Sequence, residues 1–170
     1  WIFEKVKTKK INEVKFTSVS MSYNGLKFAI SYKNITGKVG VYIYEFIDND
    51  WYITQHIETN CLFSNNPIVK LNDNDIIIGG DYSFSLNDKN IEVYSYNSDK
   101  YIYNKSLIGS NTLDVYGNTM ATLNDVNILI YENYKQTDKK NIGKCDYSYI
   151  SLGNNSLAFS CDDDIYIFDL

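Results

Sequence analysis

The sequence predicts an all-β protein of β-propeller type, made of four-stranded antiparallel blades, about four of them visible. Three observations predict it. The composition suits pleated sheets: 16 of the 170 residues are tyrosine, and proline occurs once, at Pro67. Short runs of alternating or β-branched residues are separated by Asn, Asp and Gly clusters that favour tight turns. A hairpin-based unit recurs four times along the chain, the signature of a repeat architecture.

The first unit opens with Ser18 to Ser22, where serines alternate with Val19 and Met21. That period of two predicts a strand burying one face, the face of Val19 and Met21. Asn24-Gly25 predicts a two-residue type I′ turn, because both residues tolerate positive φ. Leu26 to Ile30 is the returning strand, Val41 to Glu45 the third, and Trp51 to Ile57 the fourth, after a turn at Asp48-Asn49-Asp50. The second unit has strands at Pro67–Leu71, Ile76–Gly80, Ile91–Tyr96 and Tyr101–Tyr103. The third has Thr112–Val115, a turn at Gly117-Asn118, then Thr119–Leu123 and Val126–Tyr131. The polar stretch Lys135 to Lys144 gives no clear fourth strand. The last has Tyr147–Leu152, Ser156–Phe159 and Ile165–Phe168. Blade units are expected at about 16-58, 66-108, 112-144 and 146-170 plus 1-8.

Matching the units places Ala29, Ile78, Ala121 and Ala158 at one point of the second strand. Their periods are about 49, 43 and 37 residues, within the range of propeller blades. Tyr44, Tyr96, Tyr131 and Phe168 form an aromatic ladder on the third strand. Trp1 to Val6 matches the Trp51 strand, and the last unit stops after its third strand. The two ends can therefore share one blade in a ring of four, or the chain can be part of a larger ring, which is the expected arrangement.

The first unit resembles the FG-GAP type of propeller repeat, the kind found in the integrin α-subunit head. The resemblance is carried by Ser18-Val19, Ser22, Gly25 and Ala29-Ile30-Ser31, then Gly40 to Glu45 and Trp51. The second unit matches through Ile78-Gly79-Gly80 and Val93 to Tyr96; the later units are more degenerate. The resemblance implies a propeller and, in some blades, a DxDxDG calcium loop. Asp73-Asn74-Asp75 sits where that loop belongs, but it is truncated and offers too few oxygens for calcium, so it is expected to be an ordinary turn. Asp162-Asp163-Asp164 is likewise expected to be a solvated turn.

Catalytic arrangements are sparse. Nucleophilic triads need a histidine, and the only one, His56, falls on the solvent side of an outer strand. Three cysteines, Cys61, Cys145 and Cys161, show no metal-binding spacing; Cys145 and Cys161 can pair only if their strands are neighbours, and three small buried side chains are the expectation. Gly79-Gly80 is expected as a close-packed strand end rather than a phosphate loop. The sequons at Asn34, Asn104 and Asn154 match chance expectation. The chain has a net charge of −5 and no arginine, which argues against nucleic acid as a partner. No apolar run approaches the roughly 18 residues of a membrane-spanning helix.

The expected function is therefore non-catalytic: an interaction or scaffold module that presents propeller loops to a protein partner, with no cofactor and no metal. The AT-rich style of composition leans toward a virion or extracellular-surface setting. The alternatives are a glycan-binding adhesin, marked by aromatics at a channel mouth, and a propeller-type glycosidase, marked by two facing carboxylates.

Overall fold

The computed structural model describes residues 14–59, 66–72, 74–80, 90–110, 112–145 and 148–170. The Trp1–Val6 strand, ring closure through residues 1–8, Cys61, Asp73 and Tyr147 lie outside the described residues. Within them the chain is all-β, and its four antiparallel sheets are arranged as the blades of a β-propeller.

Blade 1 contains β1 (Val14–Met21), β2 (Lys27–Asn34), β3 (Val39–Ile47) and β4 (Asp50–Glu58). Blade 2 contains β5 (Ile68–Leu71), β6 (Asp75–Gly79), β7 (Ile91–Asn97) and β8 (Lys100–Leu107). Blade 3 contains β9 (Leu113–Tyr116), β10 (Thr119–Asn124), β11 (Asn127–Glu132) and β12 (Lys135–Asn141). Blade 4 contains β13 (Ser148–Leu152), β14 (Ser156–Cys161) and β15 (Asp164–Asp169). Each blade is a meander in which every strand pairs with the next in sequence.

A blade is too thin to shield either of its faces, so the core forms between blades. Ala29, Val41 and Ile43 of blade 1 pack on Val69, Ile76 and Ile78 of blade 2. Ile77, Ile91 and Val93, on the other face of blade 2, pack on Leu113, Met120 and Tyr131 of blade 3. Ala121, Ile128 and Ile130 then meet Leu152, Leu157 and Phe159 of blade 4. Successive residues of one strand thus enter different cores.

This layering corrects the expected burial of β1. Val19 and Met21 are 66% and 57% exposed, while Ser18 and Ser20 face blade 2. The alternation is real, but the serines are useful at the interface: their hydroxyls accept the backbone N–H groups of Val69 (3.3 Å) and Leu71 (2.9 Å). The matching of units also shifts by one. Ala29 pairs with Ile43, Ala121 with Ile130 and Ala158 with Ile167, whereas the residue paired with Val93 is Ile77, not Ile78. A bulge precedes Tyr44, Tyr94 and Tyr131 alike, so Tyr94 rather than Tyr96 belongs to the aromatic ladder. The run Ile76-Ile77-Ile78 is buried on both faces, and a run without alternation cannot set its own phase.

The turns differ from expectation in one place. Asn24-Gly25 lies in a longer loop: Gly25 N–H bonds the Ser22 carbonyl (3.0 Å), and only Gly25, at φ 71°, is left-handed. Asn24 instead accepts from the Ser22 hydroxyl and the Leu26 N–H. Pairs of positive φ, as a type I′ turn needs, occur at Asp48-Asn49 and at Asn133-Tyr134. The latter turn supports β12, the strand the sequence leaves open. Its residues are almost all exposed, so no burial pattern marks it.

Gly79 is a close-packed strand end, as expected. A Cβ there would meet the Leu113 side chain and stand 2.8 Å from the Ser110 carbonyl oxygen. Gly79→Ala is expected to lower stability by about 1–3 kcal/mol through overpacking, measured by urea denaturation. An unchanged midpoint contradicts the contact.

The cysteine expectation is overturned. Cys145 and Cys161 form a disulfide, with Cα atoms 5.3 Å apart, tying the segment that enters blade 4 to the end of β14.

Candidate protein interface

Because the strands alternate in direction, the turns β1–β2 and β3–β4 of each blade lie at one end of the propeller. Backbone bonds join neighbouring turns there, from Phe46 N–H to Leu26 O (2.9 Å) and from Tyr96 N–H to Asn74 O (2.7 Å). Side chains extend the link from blade to blade. Lys27 sits over the Tyr96 ring at 4.5 Å while pairing with Glu45 at 2.9 Å. Asn72 donates to the Gly117 carbonyl at 2.6 Å. Tyr134 bonds Asp75, which also accepts from the Ser95 hydroxyl at 2.6 Å. Burial, together with the nearby Asp75 charge, pushes the Tyr134 hydroxyl well above the usual phenol range, so it stays a donor.

This cross-linked end carries a set of exposed apolar and aromatic side chains: Tyr23 (98%), Leu26 (50%), Phe46, Ile47, Tyr96 and Tyr116. Tyrosine offers large contact area with a polar tip and loses little rotamer entropy, which suits a recognition surface. Among the described residues the opposite end shows Ile35 in the β2–β3 loop and Phe16 near the start of β1 as large exposed apolar side chains.

On the axis side, the first strands of the blades carry few charged groups among the described residues. Lys70 of β5 pairs with Asp114 of β9 at 2.7 Å, and the second Asp114 oxygen accepts the Leu152 N–H of β13 at 2.9 Å. Asp114 therefore ties three blades together. It is the one carboxylate on the described first strands.

His56 is exposed on β4. Its Nε2 lies 2.6 Å from the Tyr32 hydroxyl, and its ring stacks on Tyr42 with centroids 4.6 Å apart. Burial first, then the neighbouring Tyr42 and Glu58, pushes the Tyr32 phenol up to about 12 from its ordinary 10.0. The neutral phenol is thereby favoured by the fold, so this contribution is complete below pH 10 and is lost as pH rises toward 12. Between these limits the wild type is expected to lose stability more steeply than Tyr32→Phe, as read by denaturation at stepped pH. Parallel slopes contradict the assignment.

Asp75 is engaged as above, and Asp162, at φ 52°, opens the two-residue connection between β14 and β15. Among the described residues, no group of three or more His, Cys, Asp or Glu side chains is placed to hold a metal ion. No helix among them is long and apolar enough to cross a membrane. Sequence reasoning missed the inter-blade role of Asp114 and the buried Glu92, which accepts from the Tyr94 hydroxyl at 2.7 Å. Asp114 has no sequence signal, because its partners come from neighbouring blades, and Glu92 has none because its burial depends on the packing of blade 2 rather than on its near neighbour Tyr94.

No protein-family model matches the chain, and no curated protein matches it in sequence. Solved structures do. Kluyvelomyces marxianus Hsv2 superposes with a TM-score of 0.58 at 12% identity, over 91% of this chain and 61% of that one. KlHsv2 with its loop 6CD replaced by a Gly-Ser linker superposes with a TM-score of 0.57 at 9% identity, over 92% of this chain and 49% of that one. The chain thus spans about half the length of the solved structures it matches, and at these identities what it shares with them is the β-propeller fold.

Proposed function

We propose that this chain is a non-catalytic interaction module, with blades of FG-GAP type, that binds a protein partner through its turn-bearing end. The observation that carries the reading is the set of exposed side chains at Tyr23, Leu26, Phe46, Tyr96 and Tyr116, mounted on turns that are bonded to one another across blades. Single exposed apolar residues are ordinary on a protein surface; several gathered at one rigid end are characteristic of an interaction site. Rigid turns reduce the ordering cost of association, and the aromatic groups supply the anchors that dominate interface energetics.

The test is photo-crosslinking in cells, with p-benzoylphenylalanine placed at Tyr23, at Tyr116, or at Ile35 on the opposite end. Positions 23 and 116 are expected to give the same discrete protein adduct, and position 35 none. Equal labelling from all three positions, or no adduct from any, overturns the reading. Adducts that are sensitive to periodate rather than protease favour the glycan-binding alternative instead.

A further inference from the structure

Charge is unevenly divided over the molecule. The turn-bearing end comprises residues 21–27, 45–51, 72, 74–76, 95–100, 116–119, 131–135, 152–156 and 168–170. It carries seven carboxylates and three lysines, whereas the rest of the described residues carry eight of each. The excess negative charge of the described residues is thus gathered at the end that also presents Tyr23, Leu26, Phe46, Tyr96 and Tyr116.

Two of the seven carboxylates are used within the fold: Glu45 pairs with Lys27, and Asp75 holds Tyr134 and accepts from the Ser95 hydroxyl. The other five, Asp48, Asp50, Asp99, Glu132 and Asp169, are exposed and make no ion pair among the described residues. Asp48 and Asp50 share a turn with Phe46 and Ile47, and Asp99 shares one with Tyr96. Folding gains nothing from gathering like charges, which repel; an ordinary surface intersperses the two signs. A partner of opposite sign turns that repulsion into attraction, over a range of about 8 Å at physiological salt.

At one point the chain itself shows how this surface treats a cation. Lys27 Nζ lies 4.5 Å from the Tyr96 ring centroid and 2.9 Å from a Glu45 carboxylate oxygen, so a ring face and an anion act on one ammonium. The other turns place the same two kinds of group, exposed rings and exposed carboxylates, together at this end. Phosphate-bearing partners, an anionic bilayer or a nucleic acid, meet repulsion here. A purely apolar partner would strip water from the carboxylates without compensation.

We propose that the partner meets this end with a basic, apolar segment, in which lysine or arginine stands among aliphatic or aromatic side chains. The proposal rests on the reading of this end as a protein interface and states the chemistry of what it binds. The apolar side chains of the segment cover Leu26, Phe46 and Ile47, while its cations lie against ring faces and pair with Asp48, Asp50 and Asp99.

The experiment places p-benzoylphenylalanine at Tyr23 in three backgrounds, in the cells that make the protein. The first is otherwise wild type. The second carries Asp48→Asn, Asp50→Asn and Asp99→Asn. The third carries Asp162→Asn, Asp163→Asn and Asp164→Asn, the same change of net charge at the opposite end. Asparagine tolerates the left-handed φ of Asp48 and Asp162 (51° and 52°) and keeps an acceptor for the Trp51 N–H, so the purified proteins fold alike by circular dichroism. Adduct yield is expected to fall about fivefold or more in the second background and to hold in the third, because each exposed ion pair adds a modest, local share. Mass spectrometry of the crosslinked segment is expected to read lysine or arginine among apolar residues. Equal yields in the second and third backgrounds overturn the proposal and leave the interface reading standing, as does a crosslinked protein segment without basic residues. Absence of a protein adduct from all three backgrounds overturns both.

Discussion

Phe159→Ala is expected to destabilise the protein by about 3–5 kcal/mol, the range for removing a fully buried phenylalanine. Phe159 has no exposed surface and stands at the centre of β14, against Ala121, Ile128 and Ile130 of blade 3. Its ring shares this core with Leu152 and Leu157 of blade 4, and Tyr166 lies beside it at 6.4 Å between centroids. In a stack where each blade touches only its neighbours, such a loss concentrates at the site of the change. Amide exchange is therefore expected to rise first in β13–β15, before the other three blades, while Phe159→Leu costs much less because most of the volume remains. A midpoint shift equivalent to under about 1 kcal/mol removes this ring from its anchoring role.

Removal of the Cys145–Cys161 bridge is the second large effect. The cross-link closes a segment with a sequence separation of 16, for which chain-entropy arguments give about 3 kcal/mol. Reduction, Cys145→Ser and Cys161→Ser are each expected to produce that loss, and the double substitution no more than either alone. The measurement is urea denaturation with and without reductant, with non-reducing mass spectrometry to follow the bond. Equal midpoints in both conditions contradict a stabilising bridge. Because the bridge and the Phe159 core restrain the same blade, the two losses are not expected to add.

Much of this architecture is legible in the residues. Turn pairs such as Asp48-Asn49 and Gly117-Asn118 carry their own conformational signal, and the β-branched runs between them mark the strands. What the sequence leaves open has physical causes. Ile76, Ile77 and Ile78 enter two different cores, so their hydrophobicity cannot tell which residue matches Ala29. Strand β12 is exposed along almost its whole length, so it has no periodicity to read. Val19 and Met21 alternate as a buried face does, yet they end up outside because burial depends on what lies beyond blade 1. The turn-bearing end is only partly legible: tyrosine-rich turns are visible, but the Lys27–Tyr96 and Asn72–Gly117 contacts depend on the stacking of blades. The Cys145–Cys161 bridge requires knowing that the chain returns to within 5.3 Å after β13 and β14.

Tyr134 has a consequence for the order of assembly. An aromatic residue at φ 60° is held in a left-handed conformation that non-glycine residues avoid. What holds it is Asp75, on a strand of the preceding blade, together with burial of its ring against the core between blades 2 and 3. The outer hairpin of blade 3 therefore lacks the local preference to close by itself: β12 contributes almost no buried surface, and its turn is imposed from outside. A peptide covering residues 127–141 should stay unfolded in water, and in the intact chain this hairpin should acquire structure only after its neighbour has provided a template.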